Sequence, residues 1–343
     1  MRLLIDVNHP GQVHLFTPLA QRIIGEGGAV FITARDKDVT RKLLEAGKLP
    51  FAMCSTRKGG MVSLLWELLV KTRAIVKRAR EFRPEAIVSL GSPPAAWASR
   101  ILGVPHIALE DTEHSTEQAL LYLPFTRYVL TSTAFRRDLG KKQLRYKGFH
   151  ELAYLHPSVF APDEAVISPL GLSATRPYSV ARFVSWQATH DLGRRGMSNS
   201  DKAALVDRLS SFGKVVLTSE APLTRELRSK CVVVPPESIH HVLAFARLYV
   251  GEGATMASEA AMLGVPAIYT NPLSAGTLEA QERYGLLYRQ SDFGSALELI
   301  DFVMHEENNQ KYQGLRRAML SDMDDLTSII HDATLRAIRE DAG

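Results

Sequence analysis

The stretch V-G-E-G-A-T-M-A-S-E-A-A-M-L-G-V-P-A-I-Y-T-N-P, Val250 to Pro272, reads as the end of an apolar strand, a turn of small residues, a short helix, a glycine stop and a second apolar strand. Gly251 and Gly253 lack a Cβ, which lets a ligand approach the backbone closely. Thr255 and Ser258 are expected to cap the helix, whose free N–H groups attract phosphate. Glu259 follows about one helical turn later, where a carboxylate reaches a sugar diol. Glu252 and Met256 lie inside the same run and are counted with it. Diphosphate donors and a diol acceptor in one motif point to a sugar nucleotide.

Outward from this motif, short apolar strands and helices alternate in both halves of the chain. In the first half the strands are Leu3–Val7, Ala29–Thr33, Glu85–Leu90, His106–Leu109 and Tyr128–Thr131. Helices are expected over His14–Gly25, Asp38–Ala46, Val62–Phe82 and from Pro93-Pro94 through Leu102. Residues 145–178 carry prolines and tyrosines with little periodicity and read as a linker region. The alternation resumes with strands Tyr178–Val184, Lys214–Thr218, Val232–Val234 and Leu248–Val250. Its helices are Asp201–Phe212, Leu223–Ser229 and Ile239–Phe245, and a helical tail runs from Leu297 to Arg339 with a break near Asn308-Asn309. The pattern predicts an α/β protein with two doubly wound parallel sheets, facing each other across a ligand-binding cleft. The domains are placed at 1–150 and 178–314, with 151–177 between them.

Of the 343 residues, 45% are hydrophobic and 23% charged, the balance of an ordinary globular chain. No apolar run approaches the roughly 18 residues of a membrane span. The first residues, Met1 to Val7, read as a strand and not as a signal peptide. Cys54 and Cys231 form no CxxC pair and read as reduced thiols of a cytoplasmic protein. No Cys/His spacing or Asp-x-Asp pair predicts a metal site, and no cofactor is expected. A net charge of +4 is too small for a dedicated nucleic-acid binder. The excess is concentrated around 62–83, where Leu65, Trp66, Leu69 and Val70 precede Lys71, Arg73, Lys77, Arg78, Arg80 and Arg83. A basic amphipathic helix with Trp fits the surface of an anionic membrane, and equally a domain helix with a solvated basic face.

Candidate chemistry clusters at strand ends. The first strand runs into Asn8-His9-Pro10-Gly11-Gln12-Val13-His14, which places His14 at a ligand crevice as a general-base candidate. Another strand runs into Glu110-Asp111-Thr112-Glu113-His114, where Asp111, Glu113 and His114 are candidates to bind acceptor hydroxyls or move protons. In the second half Arg182 suits a diphosphate, and His190 a leaving phosphate. His241, beside His240 at a helix start, is a candidate contact to a nucleotide base. Gly59-Gly60 is a candidate mobile loop, and Ser274 to Thr277 a candidate contact to sugar or diphosphate.

The 251–268 run resembles the nucleotide-binding half of GT-B glycosyltransferases and of non-hydrolysing UDP-N-acetylglucosamine 2-epimerases. With V-N-H-P-G-Q-V-H-L-F-T-P-L at 7–19, T-A-R-D at 33–36, L-E-D-T-E-H at 109–114 and Y-K-G-F-H-E-L-A-Y-L at 146–155, most of the chain resembles a GT-B-like family catalogued mainly as a domain of unknown function. The resemblance implies two Rossmann-like domains and a last helix, about 315–343, that crosses back onto the first. It is also similar to the transferase that adds N-acetylglucosamine to the lipid-linked peptidoglycan precursor. There a His at the position of His14 is a candidate base, an acidic residue matching Glu259 binds the ribose, and a basic residue matching Arg182 meets the diphosphate. His-Pro-Gly-Gln stands here in place of several glycines of that enzyme's first loop. Three functions follow as expectations. The first is metal-independent transfer of an N-acetylhexosamine from a UDP-sugar to a glycan or lipid-linked acceptor, in polysaccharide biosynthesis, in the cytoplasm or on the inner face of the membrane. The second is epimerisation or hydrolysis of the nucleotide sugar, and the third is nucleotide-sugar binding without catalysis.

Overall fold

A computed structural model describes residues 1–36, 39–56, 61–113, 116–184, 196–220, 223–230, 232–273, 275–305 and 309–342. The chain divides into two units, Met1–Tyr154 with Met323–Gly343, and Leu155–Asp322.

In the first unit the chain runs β1 (Arg2–Val7), α1 (Pro10–Gly25), β2 (Ala29–Asp36), α2 (Thr40–Ala46), β3 (Phe51–Thr56), α3 (Met61–Phe82), β4 (Ala86–Leu90), α4 (Pro93–Leu102), β5 (His106–Glu110), α5 (Thr116–Tyr122), β6 (Tyr128–Ser132) and β7 (Gln143–Tyr146). The strands form one sheet in the order β3-β2-β1-β4-β5-β6-β7, every neighbouring pair parallel. Leu3, Leu4, Ile5 and Val7 are fully buried, as expected for a central strand covered on both faces. The strand order reverses at β1, so the polar residues following β1 and β4 lie at the sheet's switch point. Helix α1 starts at Pro10, four residues before the expected His14. His9 caps it by accepting from the Gly11 N–H, and Pro10 gives up only an N–H that the first turn leaves unbonded anyway.

The second unit follows α6 (Leu152–Leu155), which spans the division. It runs α7 (Glu164–Ile167), β8 (Tyr178–Phe183), α8 (Asn199–Ser210), β9 (Lys214–Ser219), α9 (Arg225–Lys230), α10 (Ile239–Ala244), β10 (Leu248–Gly251), α11 (Ala254–Met262), β11 (Ala267–Tyr269), α12 (Gly276–Arg283), β12 (Leu287–Arg289), α13 (Phe293–His305) and α14 (Asn309–Leu320). Its sheet is also parallel, in the order β12-β11-β10-β8-β9, with the reversal at β8. Val232 makes only an isolated bridge to Val216, and Val233 is exposed, so no strand forms at 232–234. The stretch 151–177 buries Leu152, Leu155, Ile167 and Leu172. Its helices are four residues long, too short to show a helical period in sequence.

The final helix, α15 (Leu326–Ala342), belongs to the first unit and packs on α1, β4, β5 and β6. Its carboxylate Glu340 binds the Tyr128 hydroxyl at 2.6 Å and the Arg127 guanidinium at 3.0 Å. These partners, with Arg336, hold the Glu340 carboxyl down at about 2. At its other end Ser328 accepts from Arg22 on α1 at 2.8 Å. Cys54 is half-buried, and burial pushes its thiol up to about 11, which leaves it unreactive near neutrality. Cys231 lies outside the described residues.

Helix α3 differs from a uniformly solvated basic helix. Ile75, Val76 and Ala79 pack against Leu4 and Ile87 of the sheet. Lys71 is only 4% exposed, and its Nζ lies 2.8 Å from Oδ2 of the fully buried Asp6. That carboxylate also accepts from Ser92 at 2.6 Å, Thr33 at 2.9 Å and Asn8 at 3.2 Å. Lys71 donates in addition to the Asn8 side-chain oxygen, and the Asn8 N–H donates to Gln12. One buried charge pair therefore joins β1, β2, the start of α4, α3 and the loop leading into α1. Removing one partner of such a pair strands the other charge. Lys71→Met is expected to lower the unfolding free energy by about 3–5 kcal/mol in urea titrations. Asp6→Leu combined with Lys71→Met should cost clearly less than the sum of the single changes. Simple additivity would show that the pair is uncoupled.

Candidate active site

In the second unit, the switch point brings the ends of β8 and β10 together, with Gly251 opposite Arg182 in register. A Cβ on Gly251 would lie 2.4 Å from the Arg182 carbonyl oxygen and 2.9 Å from the Tyr249 hydroxyl. One on Gly253 would lie 3.1 Å from Arg182 Cδ. The space kept open by these glycines is thus used by the protein's own Arg182 and Tyr249. Arg182 is held by Glu220 at 2.8 Å and keeps its side chain 24% exposed. The close fit of Gly253 seats the Arg182 side chain beside the first turn of α11.

Gly253 is itself the N-cap of α11, and no side chain caps the helix. The expected capping by Thr255 and Ser258 is not found. Thr255 is exposed as the second helical residue, and Ser258 is buried one turn later, accepting from Gln281. The first-turn N–H groups therefore have neither intrahelical nor side-chain caps, and the helix dipole adds partial positive charge there. Met256 is buried, with its sulfur 3.9 Å from the Thr218 hydroxyl.

Two acidic residues of the motif face inward. Glu252 is 2% exposed and accepts from the Val184 N–H at 3.1 Å and the Met197 N–H at 2.8 Å. It thereby ties together the two chain positions that flank 185–195, residues outside the described set that include His190. Both Glu252 oxygens thus accept from the backbone. Glu259 is 5% exposed and meets buried His240 at 3.0 Å. His241 accepts at Nδ1 from the Asp163 N–H at 3.0 Å and packs on the Phe160 ring at 4.9 Å. Burial lowers its pKa, so the ring is neutral near pH 7. Ser274 lies outside the described residues, as do Gly59 and Gly60.

In the first unit, Asp111 and Glu113 follow the end of β5. His14 is half-buried on α1 with its ring 5.6 Å from that of Tyr154. Glu113 accepts from the Arg136 N–H at 2.9 Å. His114 lies outside the described residues. Asp111 Oδ2 is 3.2 Å from His150 Nδ1, and its Oδ1 accepts from the Thr112 hydroxyl at 2.9 Å. Glu110, just before it, is buried; it accepts from the Tyr122 hydroxyl at 2.5 Å and from the Thr112 N–H at 2.8 Å. Burial and the Asp111 charge push the Glu110 carboxyl above the usual range. Burial also opposes the Asp111 charge, but His150 and Thr112 bring its pKa below the usual value. The pKa values of two adjacent carboxyls are thus pushed apart, the arrangement from which acid and base roles are read.

Sequence reasoning missed His150, the pairing of His240 with Glu259, Glu110 as a member distinct from its neighbours, and the Asp6–Lys71 pair. A weak signal existed for His150. It follows Tyr146-Lys147-Gly148-Phe149 at the end of an edge strand, as Asp111 follows β5. Gly148 takes a φ of +147°, which favours glycine, and His150 stacks on Tyr146 with ring centroids 6.3 Å apart. Among the described residues, no three His, Cys, Asp or Glu side chains converge where they would hold a metal ion.

Comparison with known proteins places this architecture. A UDP-GlcNAc 2-epimerase from Neisseria meningitidis bound to UDP-GlcNAc superposes with a TM-score of 0.67, at 10% identity over 98% of this chain and 99% of the other. The glycosyltransferase VinC, in complex with dTDP, gives 0.66 at 12% identity, over 99% of this chain and 100% of its own. MurG of Acinetobacter baumannii gives 0.58 at 14% identity, over 98% and 99%. At such identities these likenesses establish the fold, which is GT-B. In sequence, the uncharacterized protein MJ0665 of Methanocaldococcus jannaschii is 23% identical over 285 residues, covering 78% of this chain and 81% of that protein. With a match that runs over residues 1–339, the chain belongs to the family described as protein of unknown function DUF354.

Proposed function

We propose that this protein is a glycosyltransferase that moves a sugar, an N-acetylhexosamine in the first instance, from a UDP-sugar to a hydroxyl of a glycan or lipid-linked acceptor. The observation that carries this reading is the pairing of Arg182 with the uncapped start of α11 at the switch point of the second sheet. A guanidinium and a helix N-terminus side by side suit a diphosphate, and they stabilise the charge that develops as it leaves. Such a site supplies electrostatically what a metal ion supplies elsewhere. The Glu220 carboxylate occupies Arg182 until the diphosphate displaces it. Glu259, oriented by His240, is assigned to the ribose, and His241 to the nucleotide base. In the first unit the ionised Asp111 is the base that takes the acceptor proton, with Glu113 and His14 as further polar contacts to the acceptor. The UDP-GlcNAc and dTDP seen in the Neisseria and VinC structures support a nucleotide-sugar donor.

A second reading is epimerisation or hydrolysis of the nucleotide sugar, favoured by the neighbouring Glu110 and Asp111, whose pKa values are shifted in opposite directions. An acid and a base side by side suit proton movement at the sugar ring.

The acceptor assignment extends to a surface. No helix among the described residues is long and apolar enough to cross a membrane. On α3, however, Leu65 is 58% and Trp66 67% exposed, and Leu69 and Val70 are exposed one turn on. Exposed Arg73, Lys77 and Arg80 continue along the helix. Apolar side chains beside cations suit the interface of an anionic membrane, where a lipid-linked acceptor resides.

UDP titrated calorimetrically should bind the wild type, and Arg182→Ala should weaken it about 10- to 150-fold, the loss of a charge-assisted hydrogen bond worth about 1.5–3 kcal/mol. Unchanged affinity would remove Arg182 from the site. UDP-N-acetylglucosamine incubated alone should remain intact, with UDP released only when an acceptor is added; epimer or free sugar formed without acceptor would establish the second reading. Phosphatidylglycerol vesicles should sediment the protein at low salt and phosphatidylcholine vesicles should not, and Trp66→Ser with Leu69→Ser should abolish the difference. Equal recovery on both lipids would end the membrane assignment.

A further inference from the structure

Behind Asp111 lies a histidine that the reading so far leaves without a task. His150 is 8% exposed, and its Nδ1 faces Asp111 Oδ2 at 3.2 Å. Among the described residues its buried Nε2 has no hydrogen-bond partner, and neither has the hydroxyl of Tyr146, the ring stacked on it. The Asp111 side chain, by contrast, is 41% exposed. One member of the pair is open to solvent and the other is sealed in.

An orphaned buried nitrogen costs stability in either protonation state. With Nδ1–H donated to Asp111, the neutral ring leaves a lone pair unmet at Nε2, and the charged ring leaves an N–H unmet. A side chain selected for packing alone would not leave that atom unpaired beside a second unpaired hydroxyl. The gain lies on the other side of the ring, at Asp111.

We propose that Asp111 and His150 form a proton-transfer dyad, in which Asp111 meets the substrate hydroxyl and His150 is the positioning residue that keeps it ionised and aimed. The proposal rests on the assignment of Asp111 as base and adds a residue to it. The surrounding charges agree. Burial pulls the His150 ring toward neutrality, but Asp111, with Glu151 and Glu110 behind it, raises its pKa above the ordinary value. The Tyr146 hydroxyl stays protonated, because burial and then the Asp111 charge raise its pKa well above normal. Thr112 holds the other oxygen of Asp111, so the carboxylate is fixed at both ends.

The sign of the effect follows. His150 gains its partner in the folded state, so its contribution is full below the ordinary histidine pKa and fades as pH rises through the raised folded value. The Asp111 contribution is present above the ordinary carboxyl pKa and is lost as pH falls through the lowered value. Between those limits the pair is ionised on both sides.

The test is a titration of the full chain by NMR, following the His150 imidazole and the Asp111 carboxyl carbon. In the wild type His150 should titrate above the ordinary histidine value, and in Asp111→Asn its midpoint should fall by about one unit or more. In His150→Gln the Asp111 midpoint should rise by a similar amount. His150→Phe, which removes the orphaned nitrogen, should show the same rise without a lower melting temperature, and serves if the glutamine variant folds poorly. Midpoints that do not move in these variants would overturn the dyad, whatever the protein turns over. Where UDP-N-acetylglucosamine turnover is measured, His150→Gln should move the acid limb of kcat to higher pH and leave KM for UDP-N-acetylglucosamine unchanged. A uniform fall in kcat with no shift of the limb would make His150 merely structural. Absence of turnover would count against the transferase reading and the substrate-facing role of Asp111, while the titration decides the pairing independently.

Discussion

The buried charge pair of Asp6 and Lys71 is the constraint around which the first unit is arranged. A carboxylate at the end of the central strand cannot stay ionised in the core without a cation and several donors. Lys71, Ser92, Thr33 and Asn8 supply them, each from a different segment. The segments that meet there also form the switch point of the sheet, so the same bonds that satisfy Asp6 set the course of the loop leading into α1, the helix that carries His14.

The second unit solves a related problem with Glu252. Its carboxylate follows the strand next to β8 and holds the two backbone N–H groups on either side of 185–195. In each unit a buried acid at a strand end organises the loops around the switch point. Within G-E-G-A-T-M-A-S-E, the glycines make room for Arg182, Glu252 braces the chain, and the uncapped helix start presents its N–H groups.

Much of this was legible in the residues. β1, β4, β5, β8 and β10 are near-continuous apolar runs because they are buried on both faces, and each was recognisable as a strand. The edge strands β3, β7 and β12 were not. Gln143-Leu144-Arg145-Tyr146, for example, carries no apolar run to detect. Val232–Val234 erred the other way, apolar in sequence but largely unpaired in the fold. Among the candidate residues, Arg182 and Asp111 were singled out by chemistry and position. Lys71 was not, since a lysine in a basic helix reads as solvated until a buried carboxylate is found 65 residues away in sequence.

By itself, then, the sequence determined what is local and periodic. That covers two successive α/β alternations, the glycine-flanked helix start at Ala254, and acidic and basic side chains at strand ends. These follow from backbone freedom and hydrophobic period, which neighbouring residues settle among themselves. Only the tertiary structure decided which charges meet. Glu259 faces His240, Glu252 faces the backbone, Asp6 faces Lys71, and Asp111 stands open in front of a sealed His150. A side chain's protonation and task depend on partners brought from distant segments and on the water excluded around them, and neither is written in the residues beside it.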